Sequence, residues 1–134
     1  MIRVVYAGLF FMLAVSMNGY SQKNGNQVKV KPDSVKTDSI TYELIIFDIG
    51  FDTWLATKPP MNYYSKGYYE TKNKVYVTEW NYRNQDPMRF GDIYESRIDY
   101  YPNIDYGLEL NYRLYYYFRY FEEKNHVKLL NTSR

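Results

Sequence analysis

Of the 18 tyrosines in this 134-residue chain, all but Tyr6 and Tyr20 lie beyond residue 40, and there is no cysteine anywhere. Those two facts constrain the fold more than any other feature. Disulfides, thiolate metal sites and cysteine nucleophiles are excluded, so the chain has to be held by packing alone. Large rings supply much apolar area per residue, but each buried phenol also brings a hydroxyl that needs water or a partner. The expected arrangement has rings packed inward and hydroxyls at the boundary.

The N-terminal segment reads differently. Arg3 precedes an apolar run from Val4 to Val15, followed by small residues Gly19 and Ser21. A basic start, an apolar centre and a small-residue exit form the signal-peptide pattern. The run is shorter than the roughly 20 apolar residues a spanning helix needs. Residues 1–21 are therefore read as a signal peptide cut after Ser21, residues 22–39 as a flexible linker, 40–130 as one tyrosine-rich globular domain, and 131–134 as a frayed end. The linker reading rests on the lack of any aromatic residue between Gln22 and Ser39; a short edge strand at residues 28–31 is the competing one. Localisation follows as exported, to the periplasm or outside the cell, with no stable membrane insertion once the signal is removed.

Net charge is +2, and +1 once Arg3 is lost with the signal. Such balance gives no general pull toward nucleic acid or anionic lipid, and nucleic acid is not an expected partner.

Residues 41–48, TYELIIFD, carry the β-branched and aromatic content of a strand. Phe51, Trp54 and Leu55 sit at helical spacing before Pro59 and Pro60, which end the helix. Residues 62–71 predict a helix through Tyr64, Tyr68 and Tyr69, and residues 75–82 fit either state with a lean to helix. Residues 84–92, with Pro87 and Gly91, predict a loop; residues 93–100 alternate like a strand. Residues 105–124 form the strongest pattern, placing Leu110, Leu114, Tyr117, Phe118 and Phe121 on one face of a helix, with Asn103 or Asp105 able to cap it. The fold class is α+β: a small, helix-rich single domain with a short β-sheet and a long C-terminal amphipathic helix.

The strings YELIIFDIGFDTWLATKPPMNYYS, YYETKNKVYVTEWNYR and IDYYPNIDYGLELNYRLYYYFRYFE, spanning residues 42–122, resemble an uncharacterised family of small exported proteins from Bacteroidota, a domain of unknown function. The resemblance implies a cell-envelope placement and brings no activity, substrate or catalytic residue with it.

Motifs for chemistry are sparse. His126 is the single histidine, which excludes histidine-rich zinc sites. Asp48 and Asp52 flank Gly50 at a strand-to-helix turn, where helix capping competes with acid–base work. Glu70 and Glu79 share a helical face if residues 62–84 are helical, and Glu79 suits an ordinary pair with Arg83. These four are the candidates for a carboxylate-dependent hydrolase, the less favoured alternative; no cofactor or metal is expected. The leading reading is a non-enzymatic envelope protein that binds a protein or glycan through an aromatic surface, with Trp54, Tyr64, Tyr68, Trp80 and Tyr116 as candidate binding residues. A structural component of an envelope assembly is the other alternative, and an unpaired strand edge at residues 41–48 would favour it.

Overall fold

The computed structural model describes residues 27–36 and 39–131. The signal-peptide reading and the C-terminal residues 132–134 lie outside them.

The predicted α+β class is what the chain adopts. Strands β1 (Val28–Lys36) and β2 (Ser39–Ile46) pair antiparallel, and four helices follow: α1 (Phe51–Leu55), α2 (Lys66–Asn84), α3 (Pro87–Phe90) and α4 (Gly107–Asn125). A single 3₁₀ turn, Met61–Tyr63, leads into α2.

Half of the segment expected to be a flexible linker, residues 28–36 of 22–39, is instead β1. Its register runs from Val28 opposite Ile46 to Lys36 opposite Ser39, with an irregularity between Pro32 and Ser34. The physical reason is its alternation. Val28 is fully buried and Val30 packs on the core, while Lys29 and Lys31 stay exposed. Two valines at the right parity are enough when β2 offers Tyr42, Leu44 and Ile46 on the same face.

Helix α2 is one continuous element, which joins the two predicted pieces. Ser65 caps it by accepting from the Tyr68 N–H (3.2 Å), and Tyr69, Asn73, Tyr76, Val77 and Trp80 are its buried side chains. The predicted loop after it contains α3, started by the Asp86 carboxylate accepting from the Arg89 N–H, with Pro87 in the first turn.

Helix α4 is the axis of the molecule. The predicted face of Leu110, Leu114, Tyr117, Phe118 and Phe121 is buried, and so are Asn111, Tyr112, Tyr115 and Tyr116. Burial reaches nearly all round because α2, α1 and β2 each pack against it. Trp80 meets Phe121 edge-on at 4.6 Å, Tyr76 stacks on Phe118 at 4.9 Å, and Phe51 meets Tyr117 at 5.8 Å. Gly107, at the first position of α4, has φ +83°, a conformation that strains any residue with a Cβ. The Asp105 carboxylate accepts from its N–H at 2.9 Å.

Residues 93–100 form no strand. Their alternation is still used: Tyr94, Ile98 and Tyr100 are buried. The backbone is met by side chains of α2 instead of by another strand. Trp80 Nε1 donates to Ser96 O (2.8 Å), Asn84 Nδ2 to Tyr94 O (2.6 Å), and Asn81 both donates to Ile98 O (2.9 Å) and accepts from Ile98 N (2.8 Å). Side-chain amides satisfy the extended segment as a neighbouring strand would.

Between α2 and α4 lies a buried polar cluster. Asn73 Nδ2 donates to Asn111 O (2.9 Å) and Oδ1 (3.2 Å); Tyr100 OH donates to Asn111 Oδ1 (2.7 Å); Asn111 Nδ2 donates to Gly107 O (2.8 Å). Both asparagines are fully buried.

Candidate functional site

Aromatic side chains form two tiers on one side of α2 and α4. The lower tier is Tyr69 of α2 with Tyr112, Tyr115 and Tyr116 of α4, all buried. Their ring centroids lie 5.4 Å (Tyr69–Tyr115), 5.8 Å (Tyr69–Tyr112) and 5.0 Å (Tyr112–Tyr116) apart. Two hydroxyls of this tier fix the proline-bearing loop before α2: Tyr112 OH donates to Pro59 O (2.9 Å) and Tyr69 OH to Met61 O (3.2 Å). Burial makes ionisation of these phenols harder, and Tyr116 is pushed up to about 12.

On that floor sit Tyr64 and Tyr68, stacked at 4.1 Å with ring planes 20° apart. Tyr63 meets Tyr64 edge-on at 4.7 Å and is 61% exposed. Lys72 reaches over the Tyr68 ring at 5.7 Å. The rings of Tyr63, Tyr64 and Tyr68 therefore make a contiguous step that meets solvent and rests on buried rings.

Trp54 joins this surface through Tyr116, 6.3 Å away. Its indole N–H donates to Glu123 (3.2 Å), and the Lys58 ammonium lies 4.2 Å above its ring. Trp54, Tyr116, Lys58 and Arg119 line a shallow groove of about 370 Å³. Trp54, Tyr64, Tyr68 and Tyr116 are thus brought together. Trp80 is not: it is fully buried between Tyr94 and Phe121 and has no face to offer a partner. Tyr116, 6% exposed, serves as floor. Tyr63, missed in the sequence, is the most exposed ring of the step; its place directly before Tyr64, after two prolines, was the available signal.

The four candidate carboxylates are not gathered. Asp52 pairs with Arg113 (2.8 Å), Glu70 with Lys66 (3.9 Å) and Glu79 with Arg83 (2.7 Å). Asp48 accepts from Lys124, from Tyr120 OH (3.0 Å) and from the Gly50 N–H (3.0 Å). Burial pushes the Asp48 carboxyl up, but Lys124, the Gly50 amide and the Tyr120 hydroxyl outweigh it and leave the group below its ordinary value. That direction suits a structural anion, whereas a general acid needs the opposite. The same network explains Gly50: a Cβ there would come within 2.8 Å of the Tyr120 hydroxyl. Among the described residues no three histidine, aspartate or glutamate side chains are placed to share a metal ion. No described helix is long and apolar enough to cross a membrane.

The model of a family of unknown function, DUF6146, matches residues 3–134. No curated protein and no solved structure matches the chain.

Proposed function

We propose that this chain, which belongs to the DUF6146 family of unknown function, is an exported cell-envelope protein of Bacteroidota that binds a protein or glycan through its tyrosine step. The carrying observation is the stack of Tyr64 on Tyr68 with Tyr63 at its edge, open to solvent and set on four buried rings. Rigid rings lose little conformational freedom on binding, which is why aromatic residues dominate the energetics of contact surfaces. Export is supported by the apolar run and small-residue exit at residues 4–21. The carboxylate-hydrolase reading draws no support from the geometry, since each candidate faces its own cation.

The test is a double variant, Tyr63→Ala with Tyr64→Ala, compared with the unaltered chain on a glycan array and on immobilised envelope proteins. Loss of a saturable interaction, with an unchanged circular dichroism spectrum, is the expected result. Equal binding by both chains would remove the step from the function. A second reading, a structural component of an envelope assembly, is favoured by the outer edge of β2, which pairs with no further strand among the described residues.

A further inference from the structure

The two edges of the hairpin are not equivalent. Phe47 N–H donates to Gln27 O at 3.2 Å, which marks residues 27 and 47 as a hydrogen-bonded pair. Antiparallel pairs alternate between bonded and non-bonded. With Lys29 opposite Ile45 and Lys31 opposite Glu43, those are the next bonded pairs; Val28–Ile46, Val30–Leu44 and Pro32–Tyr42 are the non-bonded ones. The N–H and C=O groups of non-bonded pairs point away from the partner strand. On β1 the outward set therefore includes Pro32, which has no N–H, and it ends at the irregularity between Pro32 and Ser34. Proline, a register break and lysines are the devices that stop an edge from recruiting another strand. On β2 the outward set is Tyr42, Leu44 and Ile46, an unbroken row with no proline. Among the described residues none of these three backbone groups has a hydrogen-bond partner outside the hairpin.

A groove of about 650 Å³ lies beside the Tyr42 and Leu44 part of this row and reaches Asp33 of β1. Tyr42, Glu43 and Leu44 all line it, together with Asp105 to Leu110 at the start of α4. Adjacent residues of a strand point to opposite faces. Lining by three in succession brings the groove against the backbone of the strand as well as its side chains. Its charge is one-sided. Asp33, Glu43, Asp105 and Glu109 line it against Arg113 alone. Arg113 is engaged by Asp52, Glu43 by Lys31 and Asp105 by Lys66, so the carboxylates of Asp33 and Glu109 set the sign.

We infer that the groove between β2 and the first turns of α4 takes an extended, lysine- or arginine-bearing polypeptide segment as a third strand, paired to the backbone of Tyr42, Leu44 and Ile46. Main-chain pairing supplies the affinity in strand addition, and side-chain chemistry selects the partner; here the acidic lining selects for cations. This surface is separate from the tyrosine step.

The experiment uses the chain as purified and three fluorescent peptides: one alternating valine and lysine, the same with glutamate for lysine, and the lysine peptide N-methylated at alternate amides. Anisotropy should rise saturably with the lysine peptide and at least about ten-fold more weakly with the glutamate peptide, a difference of roughly 1.4 kcal/mol. N-methylation should abolish it. Hydrogen exchange should slow at the amides of Tyr42, Leu44 and Ile46 on binding. Glu109→Lys, an exposed change that leaves the fold intact, should weaken the lysine peptide, while Tyr63→Ala with Tyr64→Ala should leave its affinity unchanged. No saturable binding of the lysine peptide, or equal binding of the N-methylated one, overturns the inference. So does concentration-dependent dimerisation that protects the same three amides without peptide, which would assign the edge to a second copy of the chain.

Discussion

The helical body and the β-hairpin solve the same problem, burial without disulfides, in opposite ways. In the body, each ring touches several others: Tyr115 alone packs against Tyr64, Tyr68, Tyr69, Tyr76 and Tyr116. The hairpin spends most of its contacts on itself, and it meets the body through Val28, Val30, Tyr42, Leu44 and Ile46. Tyr42 makes the one ring pair between the two regions among the described residues, edge-on to Tyr106 at 4.8 Å. A ring network distributes the loss of any hydroxyl or methyl over many neighbours, whereas a two-stranded ribbon is marginal by itself and depends on the few side chains that dock it.

The largest effect should come from alkali. Tyr116 and Tyr120 are pushed up to about 12 by burial first, and Tyr100, Tyr115 and Tyr117 are raised further by burial. An unfolded tyrosine ionises near 10. Folded values above unfolded ones mean stability that is complete below about pH 10 and lost as pH rises through the folded values. The body should therefore unfold cooperatively between about pH 10 and 12, with phenolate absorbance and helical circular dichroism changing together. Gradual ionisation with the helices intact would mean that the rings are not packed as described.

Next is Leu114→Ala, which empties a fully buried position on α4. It should cost about 2–5 kcal/mol in urea melts, from lost transfer energy and the cavity. Arg113→Ala beside it loses the Asp52 pair and the cation over Phe51, and should cost no more than about 1 kcal/mol. Equal effects would put the core on the wrong face of α4.

On the hairpin side, Val28→Ala removes a fully buried group from the end of β1. A cost of about 1–2.5 kcal/mol is expected, below that of Leu114→Ala because less volume is removed. Lys29→Ala, one residue along and exposed, should stay within about 0.5 kcal/mol. If both are silent, β1 contributes nothing to folding and the hairpin is an appendage.

The smallest effect concerns the junction of the two regions, where Asp48 follows β2 and is held by Lys124 of α4. Its carboxyl is lowered in the folded state, so its contribution is present above the unfolded value near 4 and is lost as pH falls through the folded one. Asp48→Asn should flatten the fall of the thermal midpoint below about pH 4 and leave the alkaline limb alone. An unchanged acid limb would show that the Lys124 contact carries no folding energy.

How much of this could be read in advance depended on who supplies the neighbours. Helix α4 was legible because its own period of apolar residues marks its face. Tyr112, Tyr115 and Tyr116 were less so: their burial comes from α2 and the loop before it, which no periodicity within α4 reveals. β1 reads as a linker in sequence since two valines carry little apolar area alone, and only their parity against Tyr42, Leu44 and Ile46 makes a strand of them. Residues 93–100 had the right alternation and the wrong partner, because the amides of Asn81 and Asn84 stand where a strand was assumed. In the aromatic surface, Tyr64 and Tyr68 were visible as a helical pair. The loss of Trp80 to the core depended on Ser96 offering it a carbonyl, sixteen residues away.

That seat of Trp80 also makes the molecule its own optical instrument. Trp80 is sealed from solvent and lies near Tyr94 and Tyr117, while the second indole, Trp54, is half-buried under Lys58 at the aromatic surface. Light absorbed by the many phenols of the folded body drains into the buried indole, so emission should be that of tryptophan despite 18 tyrosines to two tryptophans. A soluble quencher reaches Trp54 and spares Trp80. Quenching thus reports on events at the surface, and a returning tyrosine shoulder reports on the body coming apart, from one unlabelled sample.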